Sequence, residues 1–298
     1  MNPWISAARP RTLPLALSSI LMGNFLAAAA HSFSWSICLL TVLTTILLQI
    51  LSNLANDYGD AVNGKDTDAR IGPARAVQSG AISAASMRRA VGFFSILSLA
   101  SGLGLLYVAL QNANLQTFLS FLGLGILAII AAITYTAGKK PYGYAGLGDL
   151  SVLIFFGWVG VLGAYYLQTQ QIDWALLLPA SSCGLFAVGV LNLNNLRDID
   201  SDAFTGKRSI PVRLGRKKAV VYHWLLLILG MTCSIFYLFL FQNSPFQWLF
   251  LLSFPLFVRN GMVVSANKNP RDLDPYLKQM ALSTLLFVLL FGIGFLLA

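Results

Sequence analysis

The chain contains no glutamate: its eleven acidic residues are all aspartates. Charge of either sign is scarce, 10% of 298 residues, against about 25% in an ordinary soluble domain. That excludes a solvated globular surface of normal composition. Only three cysteines occur, Cys38, Cys183 and Cys233. Each lies inside an apolar run with no ligand spacing, so packing is their expected role, and neither a disulfide framework nor a zinc site is supported. The two histidines, His31 and His223, stand alone at the ends of such runs, which leaves zinc and haem without ligands. No Pro-, Gly- or Ser-rich linker and no shift in composition marks a second soluble domain, so residues 1–298 read as one integral-membrane domain.

What the chain has instead is apolar length. Hydrophobic residues make up 57% of it and its mean hydropathy is +0.71. Nine apolar runs stand out, at about 12–30, 35–55, 89–110, 115–137, 149–168, 173–193, 219–241, 246–264 and 277–297. Each is close to the roughly 20 residues a helix needs to cross a bilayer, and the Gly and Pro inside them are tolerated in membrane helices. The expected fold is an all-α polytopic membrane protein with about nine transmembrane helices.

Charge placement tests that expectation independently. All twenty Lys and Arg fall in or near five segments: Arg9 and Arg11, Lys65 to Arg89, Lys139 and Lys140, Arg197 to Lys218, and Arg259 to Lys278. These are alternate connections, the ones that an N-in chain with nine spans keeps in the cytoplasm. The opposite connections, around His31, Gln111 to Asn114, Gln168 to Asp173 and Gln242 to Pro245, hold no Lys or Arg. The same bias accounts for a pI near 9.6 without nucleic acid, because a basic nucleic-acid face is not divided among short loops between spans. The first run follows a basic flank in the manner of a signal peptide. Its removal would leave eight spans and an awkward orientation for the basic loops, so an uncleaved first span is expected.

The scarce acids are not scattered. Four of them, Asp57, Asp60, Asp66 and Asp68, fall in "NLANDYGDAVNGKDTD" (53–68), directly after the second run. After the sixth run comes "NLNNLRDIDSD" (192–202). Each places an Asn four residues before an Asp, Asn56 with Asp60 and Asn194 with Asp198, and Asp202 extends the second series by four more. Spacing of four puts such groups on one helical face. Each motif runs on into a basic, glycine-containing loop. The second and sixth runs are four apart, which suggests two four-helix repeats, helices 1–4 and 5–8, plus a ninth helix.

Clustered carboxylates at a membrane surface repel one another and are costly to desolvate. Oxygen donors without nearby His or Cys match Mg²⁺, which takes one or two carboxylates and leaves its other positions to water and phosphate. Two facing acidic sets would clamp a diphosphate through bridging metal. The bland reading is a solvated loop in which Asp57, Asp60, Asp66 and Asp68 are balanced by Lys65, Arg70, Arg75, Arg88 and Arg89; the matched pair of motifs favours the metal. Arg75, Lys139, Lys207 and Arg208 are the candidate phosphate contacts, although positive-inside topology alone would also put basic residues there. A diphosphate held at the cytoplasmic ends of membrane helices would lay its hydrocarbon tail between them. Gly102/Gly104, Gly123/Gly125 and Gly157/Gly160/Gly163 would make room for it or serve ordinary helix packing.

At these residues the sequence resembles the UbiA superfamily of membrane aromatic prenyltransferases, which carries two Asp-rich motifs after the second and sixth of nine helices. Within it, the chain is most similar to the branch that prenylates 1,4-dihydroxy-2-naphthoate in menaquinone synthesis. The stretches that carry the likeness are "ARPRTLP" (8–14), "NDYGDAVNGKD" (56–66), "GPARAVQSG" (72–80), "YTAGKKPYGYAGLGD" (135–149) and "NNLRDIDSDAFTGKRSIPVRLG" (194–215). The resemblance implies Mg²⁺–diphosphate ligands at Asn56, Asp60, Asp66, Asn194, Asp198 and Asp202, with Asp60 and Asp198 central to catalysis and Asp57 and Asp68 as helpers. It implies substrate contacts at Arg75, Lys139, Lys140, Lys207, Arg208, Tyr135 and Tyr144. Lys139-Lys140 departs from the Gly-Pro-like residues common at that point in the family. The implied partners are a polyprenyl diphosphate, 1,4-dihydroxy-2-naphthoate and the bilayer. The implied location is a bacterial cytoplasmic (inner) membrane with the site facing the cytoplasm. Tyr58, Tyr135, Tyr142 and Tyr144 are candidates to stabilise an allylic cation. The rivals are another aromatic acceptor (4-hydroxybenzoate, haem or chlorophyllide) and, in a different class, a secondary transporter. The transporter is disfavoured because a carrier needs a midplane site and these acids collect on one side.

Overall fold

A computed structural model describes residues 2–66, 71–72 and 75–298. Asp68 and Arg70, singled out above, lie outside the described residues. Among the described residues nine helices are long and apolar enough to cross a membrane. They are α1 (Pro3–Ala29), α2 (Trp35–Val62), α3 (Ala84–Ala109), α4 (Leu115–Thr134), α5 (Gly148–Thr169), α6 (Trp174–Arg197), α7 (Arg216–Phe241), α8 (Pro245–Ala266) and α9 (Pro270–Leu296). Local chemistry starts several of them. The Ser83 side chain accepts from Ser86 N at the head of α3, Asn114 from Thr117 N at α4, and Ser244 with Gln247 forms a reciprocal cap at α8.

Several boundaries differ from the sequence expectation, and α3 and α9 begin early, at Ala84 and Pro270. Helix α1 begins at Pro3, because a short helical turn, Pro3–Ala8, precedes a break at Arg9. Helix α2 runs on to Val62 and α6 to Arg197, so Asn56, Asp60 and Asn194 sit inside the helices rather than after them. Polar residues end an apolar run in the sequence, but they do not end a helix whose polar face has an interior to look into.

Each helix packs mainly on its neighbours: α1 on α2, α5 and α9; α2 on α3 and α4; α5 on α6; α6 on α7 and α9; α8 on α9. In lipid such contacts are driven by close van der Waals fit, because hydrocarbon is as apolar as leucine. At the α5–α6 crossing a Cβ on Gly157 would lie 2.8 Å from the Ala180 carbonyl and 3.0 Å from Gly184 Cα, so only glycine permits that approach. The larger core joins α1 and α5–α9 around Phe186, which stacks on Phe257 at 4.1 Å and meets Phe287 edge-on at 5.2 Å. A second cluster ties α2 and α3 to the loop between them through Leu51, Leu54, Ala76 and Met87. A third, with Ile37, Leu105, Leu106 and Leu167, closes the far end of the bundle. Helix α4 contributes no buried residue to any of them. One side of it faces outward and the other lines a cavity.

Candidate active site

That cavity has a volume of about 510 Å³ and is walled by α1–α6 with a contribution from α9. Thr41 and Asp60, both on α2, line its two ends. At 1.5 Å per residue the wall between them is roughly 28 Å long, close to the ~30 Å hydrocarbon core of a bilayer. Its deep part is apolar, with Leu99, Leu103, Phe121, Leu122, Phe155, Phe156 and Leu167, and the third hydrophobic cluster forms its floor. A π-helical stretch, Leu153–Val159, loosens α5 there, and the carbonyl of Phe156 accepts from Ser19 Oγ on α1. That widened turn places Phe155, Phe156 and Val159 all on the cavity wall. The glycines divide into two kinds. Gly157 and Gly160 are close-approach positions, whereas a Cβ on Gly125 or Gly163 would meet nothing within 4 Å and both line the cavity.

The polar mouth gathers residues from both acidic motifs. Asn56, Asp60, Asn194, Asp198 and Asp202 all line it, with Arg75, Lys207, Tyr135, Tyr142 and Tyr144. The Lys207 ammonium bridges the motifs, 3.3 Å from Asp60 and 3.5 Å from Asp202. Arg75 donates to Asp60 Oδ2 at 2.5 Å and its Nε lies 3.3 Å from Asp66. Burial alone would lower the pKa of Arg75, but Asp60 and Asp66 outweigh it and hold the guanidinium charged. Burial pushes Asp202 up to about 6; Lys207 opposes the shift and Asp198 and Asp60 add to it.

The other residues that the sequence singles out fall into distinct places. Asp57 accepts from the backbone N–H groups of Ala76 and Val77, both at 3.0 Å. It pins the returning loop to α2, which is how Arg75 reaches Asp60. Tyr144 donates to Asp60 Oδ1 at 2.6 Å, and its ring lies 5.6 Å from Lys65 Nζ and 5.4 Å from Lys207 Nζ. Burial and the Asp60 charge raise its pKa, so its hydroxyl keeps the proton it donates. Tyr135 and Tyr142 meet edge-on at 5.3 Å on the cavity wall, whereas Tyr58 packs into the α2–α3 cluster. Lys139, Lys140 and Arg208 are exposed and are not part of the cavity wall. Arg208 takes part through its backbone: its N–H donates to the Tyr144 carbonyl at 2.9 Å, joining the two loops at the mouth. Gly59 lets the α4–α5 loop settle on α2, because a Cβ there would lie 2.6 Å from Thr136 C.

Sequence reasoning passed over Arg197. Its side chain is 1% exposed. It forks onto Asp198, Nε to Oδ1 at 3.0 Å and Nη2 to Oδ2 at 2.7 Å. It also donates to Asn194 Oδ1 at 2.9 Å and to Asp274 of α9 at 2.5 Å. One arginine thus orients two residues of the second motif and ties them to the last helix. Its adjacency to Asp198 was a usable signal; Asp274, far along the chain, offered none. Thr136, whose Oγ1 lies 3.1 Å from both Asn56 Oδ1 and the Ala55 carbonyl, was also missed.

A divalent cation fits this donor set in type. Asp60, Asp66, Asp198 and Asp202 supply carboxylate oxygens, with Arg75, Arg197 and Lys207 beside them, the hard oxygen donors that Mg²⁺ prefers. Among the described residues no three acids converge into a ready-made metal cage.

The profile of the UbiA prenyltransferase family matches residues 16–285. The chain is 48% identical to 1,4-dihydroxy-2-naphthoate octaprenyltransferase of Haemophilus influenzae, over 99% of this chain and 96% of that one. It is also 48% identical to the enzyme of the same name from Escherichia coli, over 98% and 94%. Among solved structures it superposes on a UbiA homolog from Archaeoglobus fulgidus bound to GPP and Mg²⁺, with a TM-score of 0.67, 15% identity and coverage of 99% of this chain and 100% of that chain.

Proposed function

The chain belongs to the UbiA prenyltransferase family, and on that premise we propose that it transfers a polyprenyl chain from polyprenyl diphosphate to 1,4-dihydroxy-2-naphthoate, releasing diphosphate and CO₂ and leaving demethylmenaquinol. The acceptor follows from the two 48% identical relatives, both 1,4-dihydroxy-2-naphthoate octaprenyltransferases. One observation in this chain carries the chemistry: Lys207 joins Asp60 of one acidic motif to Asp202 of the other at the polar mouth of an apolar cavity as deep as a bilayer core. A diphosphate belongs at that mouth and its hydrocarbon tail in the cavity.

Asn56, Asp60, Asp66, Asn194, Asp198 and Asp202 are the residues that would hold Mg²⁺. When bound, the metal supplies charge to the departing diphosphate oxygens. Arg75 and Lys207 add hydrogen bonds to the same oxygens, and Tyr144 keeps Asp60 in place. The bond that breaks is the C1–O bond of the prenyl group, whose electron pair leaves with diphosphate. The allylic cation faces Tyr135, Tyr142, Phe155 and Phe156, whose faces favour positive charge and whose bulk excludes water. The electron-rich ring attacks C1 at the carbon bearing the carboxylate. CO₂ then departs, its bonding pair returns to the ring, and no external oxidant is needed. With the basic loops cytoplasmic, the mouth opens to the cytoplasm.

Membranes containing the protein, given Mg²⁺, a polyprenyl diphosphate and a panel of aromatic acids, should yield a decarboxylated, prenylated naphthalenediol by mass. Asp60→Asn, Asp198→Asn or EDTA should each abolish it. Equal turnover of 4-hydroxybenzoate would sink the acceptor assignment, and full activity in both aspartate variants would sink the metal assignment.

A further inference from the structure

The basic residues of the cavity wall are Arg9, Arg11, Arg75, Lys207 and Lys278. Arg9 sits in an unusual backbone state. Its φ of 49° and ψ of 64° are left-handed, a region that L residues with a Cβ avoid. Pro10 follows it, and a residue before proline favours extended backbone. Such strain persists only where the surroundings over-determine it.

The surroundings here are two buried amides on α2. Asn53 Nδ2 donates to the Ala8 carbonyl at 2.9 Å and to Thr12 Oγ1 at 3.0 Å, and Gln49 Nε2 donates to Thr12 Oγ1 at 3.2 Å. Thr12 closes the turn by donating to the Arg9 carbonyl through its N–H and its hydroxyl, both at 2.9 Å. Gln49 is 9% exposed and Asn53 3%. They sit on α2 seven and three residues before Asn56, so the strap over Ala8–Thr12 is clamped about 5–10 Å along the axis from it, deeper in the cavity. Polar groups this buried are satisfied by the strap itself, and the strained residue they fix lines the cavity.

We propose that this strap makes Arg9 the anchor for the carboxylate of the aromatic acceptor, an assignment that rests on the proposed reaction. An arginine fork matches a carboxylate in two parallel hydrogen bonds. The strap lies a turn or two below the acids that hold diphosphate, so it keeps the two anions of the reaction apart and leaves the ring between them, facing the prenyl C1. Arg11, which stands 3.6 Å from Asp274 and is 43% exposed, and Lys278 on α9 flank this site. The exposed Lys139 and Lys140 lie outside it.

The test measures KM separately for 1,4-dihydroxy-2-naphthoate and for polyprenyl diphosphate in membranes with Mg²⁺. Arg9→Gln should raise KM for the naphthoate roughly tenfold or more, the size of one lost charged hydrogen-bond pair, and leave KM for the diphosphate within about twofold. Arg9→Lys should recover part of the loss. Asn53→Leu, which frees the strap without touching the arginine, should move the same KM in the same direction. Equal changes in both KM values, or an Arg9→Lys variant no better than Arg9→Gln, would overturn the assignment. A wild-type protein that does not prenylate the naphthoate at all would instead overturn the proposed function.

Discussion

Replacing Arg197 by methionine keeps the length of the side chain and removes the charge that Asp198 leans on. In the metal-free protein Asp198, 4% exposed, then loses both arms of its fork, and Asn194 loses a donor. Removing one partner of a buried ion pair in this way costs up to about 3–5 kcal/mol. Asp274, 39% exposed, adds little because water reaches it. Mg²⁺ with a diphosphate restores a positive charge beside Asp198, so the deficit should narrow when both are present. The assay is equilibrium unfolding in mixed micelles followed by tryptophan fluorescence, with and without the two ligands. Adding Asp198→Asn to Arg197→Met should return much of the loss, because the carboxylate that lost its arginine is now neutral. A metal-free deficit under about 1 kcal/mol, a deficit unchanged by ligands, or a double variant less stable than Arg197→Met would refute the reasoning.

Gly163→Leu should leave the fold intact, because a Cβ there meets nothing within 4 Å, but should fill the deep cavity. Turnover of long polyprenyl diphosphates should fall while that of a short donor persists, and a uniform loss would argue against this wall as the tail site. Asp202, held near a pKa of about 6, must lose its proton to bind metal. The Mg²⁺ concentration for half-maximal thermal stabilisation should therefore rise as pH falls through about 6 and level off above it. Without metal the raised pKa has the opposite sense: the folded state binds the extra proton, so stability should drop as pH climbs from about 4 to about 6. A Mg²⁺ requirement that is flat across that range would remove Asp202 from the ligand set. Finally, Lys207→Cys should react with a membrane-impermeant thiol reagent only from the cytoplasmic face, and labelling from outside would invert the topology.

Much of the architecture is legible in the residue pattern because a bilayer is a demanding solvent. An unpaired backbone in hydrocarbon is too costly for anything but helix, so nine apolar runs specify nine helices, and basic residues in alternate loops specify which ends they share. The acidic motifs are legible for a similar reason. A chain this poor in charge does not place Asn56, Asp60, Asn194, Asp198 and Asp202 at spacings of four by membrane topology alone. What remained hidden depended on side chains meeting across long sequence separations. Asp57 and Asp60 look alike in the sequence, yet one holds the loop backbone and the other faces the cavity. Lys139, Lys140 and Lys207 are equally basic, but only Lys207 reaches both motifs, because the two mouth loops are joined through Arg208 and Tyr144. Arg197 reads as one more cytoplasmic charge until α9 brings Asp274 against it. Helix periodicity assigns residues to faces. Which face meets which depends on close contacts such as Gly157 against Ala180 and Gly59 against Thr136, and those exist only once the helices have packed.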